Sequence, residues 1–432
     1  MSGINTQLRR LEEDKKQIKV SLVGAGLMGK GMVSQMMLMK GMIPALVVSN
    51  KIQDAIDAYT IAGVSKEDIV IAKTLKQLNL AMERDKYVVT DITEYAGKGN
   101  LIDVVVDATG VPDVGARVAL DSILNKKHIV MVNVEADITV GPILNKLARE
   151  AGVIYTGTAG DEPGSVKEIY DFADALGFEI LAIGKGKNNQ IDYTATPDSL
   201  RGKALEKNLK PLRLASFVDG TNTMIEMAAM SNATGFLPDI RGGHGPTSTV
   251  DNLPKIFSLK EDGGILNNKG IVDYVHGIAP GVFVVVTTKL PQVHEEMRYL
   301  SMGDGPNYVL YRPYHLTSLE TPITIAKTVI YNEGTIAPKY NKPVSEVITR
   351  AKKDLKTGEH LDGIGEYTII GSIDKYEIAK KENLIPIGLI NDQAVVKRDI
   401  KKGEFITHDM IDLDKTTEIY KLRMKQDKLQ WR

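Results

Sequence analysis

The chain has 432 residues, enough for two or three domains that each bury a core. Its 54 basic residues balance 55 acidic ones, which argues against nucleic acid or an anionic membrane surface as a general partner. Cysteine is absent, so disulfides, thiolate metal sites and a cysteine nucleophile are excluded, in keeping with a cytoplasmic protein.

Residues 8–19 are highly charged and predict a surface helix rather than a signal peptide, and no apolar run approaches the length of a membrane span. The apolar run 18–23 then leads into Val23-Gly24-Ala25-Gly26-Leu27-Met28-Gly29 and a methionine-rich helical stretch. A strand, a GxGxxG turn and a helix in this order form a dinucleotide-binding context. Gly24 permits the tight turn, Gly26 admits a pyrophosphate, Gly29 lets helix and strand pack, and the Leu27 and Met28 N–H groups face phosphate. Met28, Met32, Met36 and Met39 recur at helical spacing and read as core. A second apolar run at 45–48 ends in Ser49-Asn50-Lys51, where cofactors with a free ribose 2'-hydroxyl usually meet an acid; the first carboxylate is Asp54. Ser49, Asn50 and Lys51 suit a 2'-phosphate, which favours NADP over NAD.

Alternation continues with a helix over 52–62, a charged excursion over 66–85, and strands at 87–92 and 103–107. A helix over 113–125, a strand at 128–133, a helix over 141–151, a strand at 153–156 and a helix over 164–176 follow. This order predicts a doubly wound parallel sheet, with ligands beyond the carboxyl ends of its strands. The loops Ala108-Thr109-Gly110 and Asn133-Val134-Glu135 are therefore expected at the nicotinamide half of the cofactor.

From residue 178 the texture changes. A strand over 178–183 runs into Gly184-Lys185-Gly186-Lys187-Asn188-Asn189, read as a glycine turn able to hold an anion or as a solvated turn. Asp219, Thr221, Asn222 and Glu226 follow at spacings that line a turn and the first turns of a helix. His244 in Arg241-Gly242-Gly243-His244-Gly245-Pro246, and His315, are weighed as acid–base groups against structural hydrogen bonding; His276, His294 and His408 receive no role. A valine-rich strand at 281–288 continues the second domain, and a helix over 321–331 is expected to return and pack on the nucleotide domain.

The segments VGAGLMG, DATG, NVEAD, GKGKNN and SFVDGTNT, with the C-terminal stretch from Val395 to Met410, resemble homoserine-dehydrogenase-like oxidoreductases that carry a C-terminal SAF domain. That group includes the deoxyxylulose-phosphate-reductoisomerase-like enzymes of isoprenoid synthesis. Homoserine dehydrogenases usually place lysine after the Asn133 position, whereas Val134 stands here. The resemblance instead puts Lys185 and Lys187 in the substrate site, near a phosphate or the reacting oxygen.

The combined reading is an α/β protein: a Rossmann doubly wound parallel sheet, an α+β substrate domain and a small β-rich C-terminal SAF-like domain, over residues 1–160, 161–345 and 346–432. The expected function is NADP-dependent oxidation or reduction of a small polyhydroxylated, phosphorylated or carboxylated substrate, with a coupled isomerisation as an option. A plain polyol or hydroxy-acid dehydrogenase and a non-catalytic cofactor-sensing or sugar-binding protein are the alternatives. Lys185, Lys187, Asp219 and Glu226 are the catalytic candidates, and Asn188, Thr221, Asn222 and His244 the substrate contacts. Magnesium or manganese would suit an isomerisation, but no ligand set can be chosen among Glu135, Asp137, Asp161, Glu162, Asp219 and Glu226. A homodimer or homotetramer is expected.

Overall fold

The structure, a computed structural model, describes residues 3–207 and 209–430. The chain divides into two compact units. One comprises residues 3–164, 316–337 and 422–430, the other 165–315 and 338–421. Where the sequence suggested a separate module from residue 346, contacts group residues 346–421 with 165–315.

The first unit opens with a helix, α1 (Ile4–Glu13), then alternates β1 (Ile18–Val23), α2 (Leu27–Leu38), β2 (Met42–Val48), α3 (Ile52–Ile61), β3 (Ile69–Ile71), α4 (Leu75–Glu83) and β4 (Tyr87–Thr90). It continues through β5 (Val104–Asp107), α5 (Pro112–Leu124), β6 (His128–Met131), α6 (Val134–Ala151) and β7 (Tyr155–Gly157). The seven strands are parallel in the order β3-β4-β2-β1-β5-β6-β7. The order reverses between β1 and β5, the switch point at which ligands bind such sheets. Pro44 cannot donate to a ladder, and the β1–β2 register skips one residue beside it. Met32 and Met36 are fully buried in the core against β1 and β2, while Met28 and Met39 are half-buried. A later helix, Thr321–Tyr331, returns to this unit, where the Thr321 and Thr158 hydroxyls bond at 2.6 Å and the Ala159 N–H donates to Thr324 Oγ1 at 2.8 Å.

The chain leaves the first unit within α7 (Glu162–Ala175). The second unit holds a four-stranded sheet in the order β11-β10-β8-β9, built from β8 (Glu179–Lys187), β9 (Ile271–His276), β10 (Val282–Thr287) and β11 (Asn307–Arg312). Between β8 and β9 run α8 (Arg201–Glu206), α9 (Pro211–Val218) and α10 (Thr221–Thr234). The antiparallel pair β12 (Ser345–Ala351) and β13 (Ile369–Lys375) follows, and then the short pair β14 (Val395–Val396) and β15 (Ile411–Asp412). Helix α10 contacts β8 and β9 as well as β12 and β13, so it is buried nearly all round. Two of its polar side chains bind the C-terminal segment: Asn232 Oδ1 accepts from the N–H groups of Val344 and Ser345, and Thr221 Oγ1 accepts from Gly371. Among the described residues no helix is long and apolar enough to cross a membrane.

Candidate functional sites

In the first unit, β1 ends at Val23 and the chain turns at Gly24, whose φ is +104°; a Cβ there would lie 2.7 Å from the Ala108 carbonyl oxygen. Gly29 faces the turn, and a Cβ on it would meet the Gly24 oxygen at 2.0 Å. Nothing lies within 4 Å of the Cβ position on Gly26, so the approach to the turn is open there. Gly26 also begins α2 without a side-chain cap, which leaves the first-turn N–H groups, including those of Leu27 and Met28, to an incoming anion. The turn thus fits a dinucleotide pyrophosphate.

At the end of β2, Ser49 is buried and its hydroxyl accepts from the Lys51 N–H at 3.3 Å, while Asn50 and Lys51 are exposed. Lys51 begins α3, again without a side-chain cap. The nearest carboxylate, Asp54, is paired with Lys30 at 3.3 Å. No acid of β2 is therefore set to receive a ribose diol, and a second bare helix start lies beside Lys51.

The two loops expected at the nicotinamide end are joined by Asn133. Its Nδ2 donates to the Val111 carbonyl at 3.0 Å and to Thr109 Oγ1 at 3.3 Å, and its Oδ1 accepts from the Ala136 N–H at 3.1 Å. That last bond caps α6, which starts seven residues earlier than residue 141. Glu135 is consequently a buried first-turn helical residue and not part of a loop. Ala108 and Thr109 are half-buried, and Gly110 is exposed with φ +66°.

In the second unit, β8 continues through Lys187, so the expected glycine turn is a strand. The glycines serve close approach: a Cβ on Gly184 would sit 1.9 Å from the Asp273 oxygen of β9, and one on Gly186 2.4 Å from the Ala279 nitrogen. Lys185 and Lys187, two apart on a strand, point to one face, and both are buried. Lys185 Nζ forms an ion pair with Glu226 Oε2 of α10, both side chains less than a tenth exposed. Asn222, one helical turn earlier, donates to Glu226 Oε1 at 2.6 Å. Lys187 Nζ donates to the Phe217 carbonyl at 2.7 Å, and burial, then the Lys185 charge, lower its pKa to about 8.

The remaining candidates sit differently. Asp219 Oδ1 accepts from the Thr221 N–H at 2.9 Å, and Oδ2 pairs at 2.8 Å with Lys352, a buried lysine that also donates to the Ala195 and Glu366 carbonyls. Asp219 and Thr221 thereby hold the C-terminal strands against the start of α10. Asn188 lies one residue beyond β8 and is exposed. His244 Nε2 pairs with Asp239 Oδ2 at 2.8 Å, and its N–H, with that of Gly245, is received by buried Asp273, so the glycine-rich loop is ordered from both sides. Sequence reasoning missed Lys352, Asp239 and two residues of β9 opposite the lysines, Tyr274 and His276. Polar side chains alternating within the otherwise apolar IVDYVH were the available signal for the β9 pair; for Lys352, which reaches Asp219 across 133 residues, there was none.

A glycine turn at the switch point of a seven-stranded parallel sheet is the geometry of a nucleotide-binding α/β protein. Residues 160–321 match the family model described as the catalytic domain of the oxidoreductase DRL, and the chain is an NAD(P)-dependent oxidoreductase. No curated protein matches the chain. Similar solved structures include a probable dehydrogenase from Thermotoga maritima, at 12% identity over 73% of this chain and 90% of that one, with a TM-score of 0.41. A putative myo-inositol dehydrogenase from Sinorhizobium meliloti is 10% identical over 73% and 90%, TM-score 0.41. The scyllo-inositol dehydrogenase of Lactobacillus casei, solved with NAD(H) and scyllo-inositol, is 13% identical over 74% and 91%, TM-score 0.40. Likeness at this level assigns no substrate.

Proposed function

We propose that the chain is an NADP-dependent dehydrogenase of a small polyhydroxylated substrate that carries a carboxylate or phosphate. The observation that carries the reading is the buried Lys185–Glu226 pair with Lys187 beside it on one face of β8. Two lysines held largely out of water on one strand face, one of them paired with Glu226, offer ammonium donors that suit an anionic substrate group. Lys185, oriented by Glu226 and through it by Asn222, stabilises negative charge on the reacting oxygen. Lys187, turned by the Phe217 carbonyl and lowered to about 8, is able to exchange a proton near neutral pH. The nicotinamide, when bound, supplies or accepts the hydride. Preference for NADP is supported by Ser49, Asn50 and Lys51 at the start of α3, with Asp54 engaged by Lys30.

Screening polyols, sugar acids and sugar phosphates for a change in NADPH absorbance, with NADH in parallel, tests both halves. Lys185→Met is expected to lower turnover on the order of a hundredfold while NADPH affinity stays near that of the unmodified chain. Unchanged turnover in that variant, or tighter binding of NADH than of NADPH, overturns the corresponding half.

A further inference from the structure

We propose that Arg350 holds the carboxylate or phosphoryl group of the substrate in a narrow cleft beside the C-terminal strands of the second unit. The proposal rests on the reading of the chain as a dehydrogenase of an anionic polyol and names the residue that recognises the charge. Arg350 lies in β12, opposite Phe405 of the stretch from Val395 to Met410 that the sequence sets apart. Its Nε donates to the Gly403 carbonyl at 2.8 Å, and its guanidinium carbon stands 5.5 Å from the centre of the Tyr193 ring and 5.8 Å from that of Phe405. One hydrogen bond and two rings thus fix the plane of the fork. Gly403, at φ +85°, lets the turn come this close, since a Cβ there would lie 3.1 Å from Arg350 Nη2.

Phe405 carries a second arginine, and the two differ in how their charge is met. Arg241 stands 4.7 Å from the ring centre and is neutralised twice, by Asp374 at 2.6 Å and by Glu382 at 2.7 Å. Arg350 pairs with no carboxylate, and its terminal amino groups have no hydrogen-bond partner among the described residues. Glu404, next to Phe405, turns instead to Arg398 at 3.8 Å and accepts from the Lys401 N–H, while Asp219, which also lines the cleft, is taken by Lys352. The cleft beside Arg350 has a volume of about 20 Å³. That admits about one or two heavy atoms, the oxygens of an anionic head group and not a sugar ring. Ser372 adds a hydroxyl donor, also without a partner among the described residues, 3.4 Å from the Cβ position that Gly242 leaves open. Met224 and Ile370 line the cleft as well, and apolar walls strengthen a charge-assisted hydrogen bond. The same segments border the lysine site: Gly220 precedes α10, which carries Asn222 and Glu226, and Gly243 packs on Tyr274, opposite Lys185 in the register of β8 and β9.

Two measurements on the full-length chain decide it. In protein labelled at arginine, the Nε–H signals of Arg350 and Arg241 are followed by NMR as inorganic phosphate or acetate is added, with sodium chloride at matched ionic strength as the blank. The Arg350 signal is expected to shift and saturate with a midpoint on the order of a millimolar, while Arg241, already held by two carboxylates, stays in place. Ser372→Ala, which leaves the Gly403 contact intact, is expected to raise that midpoint about fivefold. An Arg350 signal that does not move, or that moves no more than in chloride or than that of Arg241, overturns the cleft as an anion site. Arg350→Met is then assayed on an anionic substrate found with NADP and on its uncharged counterpart. KM for the anionic substrate is expected to rise on the order of a hundredfold, with KM for the uncharged one and NADPH affinity preserved, and Arg350→Lys to recover only part of the loss. Equal changes in KM for the two substrates, or none, overturn the role in substrate binding. If the wild-type chain turns over none of the tested compounds, the dehydrogenase reading fails by itself, while the phosphate and acetate titrations still decide whether Arg350 holds an anion.

Discussion

Asp107, the last residue of β5, is fully buried at the switch point of the parallel sheet. Its Oδ1 accepts from the Thr109 N–H at 3.2 Å, whereas Oδ2 makes no hydrogen bond among the described residues, although the Asn133 amide lies near enough to offset part of the cost. Burial is the largest influence and pushes the carboxyl up to about 6. A folded value above the unfolded one means that the native state holds the proton more tightly, so the stability this group contributes is present below about pH 4 and is lost as pH rises through about 6. Asp107→Asn keeps the acceptor for Thr109 and cannot ionise. It is expected to raise unfolding free energy at pH 8 by roughly 2–3 kcal/mol, with little gain at pH 4, as read by urea denaturation at the two values. Equal gains at both would show that packing, not charge, is responsible. The sequence made the adjacent glycines readable because each role is set by backbone within a few residues: Gly24 for a positive φ, Gly29 for contact with Gly24. The state of Asp107 was not readable, because it depends on the close approach of Gly115 and on an asparagine from the next strand end.

At the scale of elements, α6 contains Pro142, which breaks a helix that has nothing else to fill the gap. Here the side chain of Gln426 enters the ladder: its Oε1 accepts from the Ile143 N–H and its Nε2 donates to the Thr139 carbonyl, both at 3.1 Å, with Arg423 reaching that carbonyl at 3.3 Å. Gln426 is fully buried. Gln426→Ala leaves a donor and an acceptor of α6 without this partner, and a loss of about 2–4 kcal/mol in unfolding free energy is expected, measurable by denaturant titration. A loss within experimental scatter would mean that α6 closes the gap unaided. This insertion explains why the helix could not be placed from Gly141-Pro142 alone, since the residue that spans the break at Pro142 lies almost three hundred positions away. The same holds for Gly184-Lys185-Gly186-Lys187. Glycine and lysine alternation is locally a turn signal, and only the backbones of Asp273 and Ala279 against the glycines make it a strand. Apart from α6, and from β3 and α4 inside the charged stretch 66–85, the helices and strands of the first unit were legible because their hydrophobic periods agree with the fold.

For the whole molecule, the order of the chain is not the order of the units. The first unit is completed by residues 316–337 and 422–430, and the second by 338–421. From sequence, the nucleotide-binding segment looks separable from everything beyond residue 340, and a chain ending there would keep the glycine turn and all seven strands of the parallel sheet. Such a chain nevertheless lacks Gln426, which bridges the break in α6, and that helix is capped by Asn133, the residue joining the loops that follow β5 and β6. It also lacks Lys352, leaving Asp219 buried without its cation, a loss that costs several kcal/mol where the partner charge stays behind. The expected outcome is a chain ending at Tyr340 that is largely insoluble or unfolds well below the full-length protein, and that binds NADPH weakly by fluorescence titration. A second truncation, ending at Lys421, keeps Lys352 and the C-terminal strands and removes only the last helix, Glu418–Gln426, from Leu422 onward. It should fold with a melting temperature lowered at least as far as by Gln426→Ala, and recover part of the loss when saturated with NADPH, since a ligand that binds only the folded first unit stabilises it by mass action. A soluble 1–340 chain with unchanged NADPH affinity would show instead that the parallel sheet and its glycine turn stand without the C-terminal return.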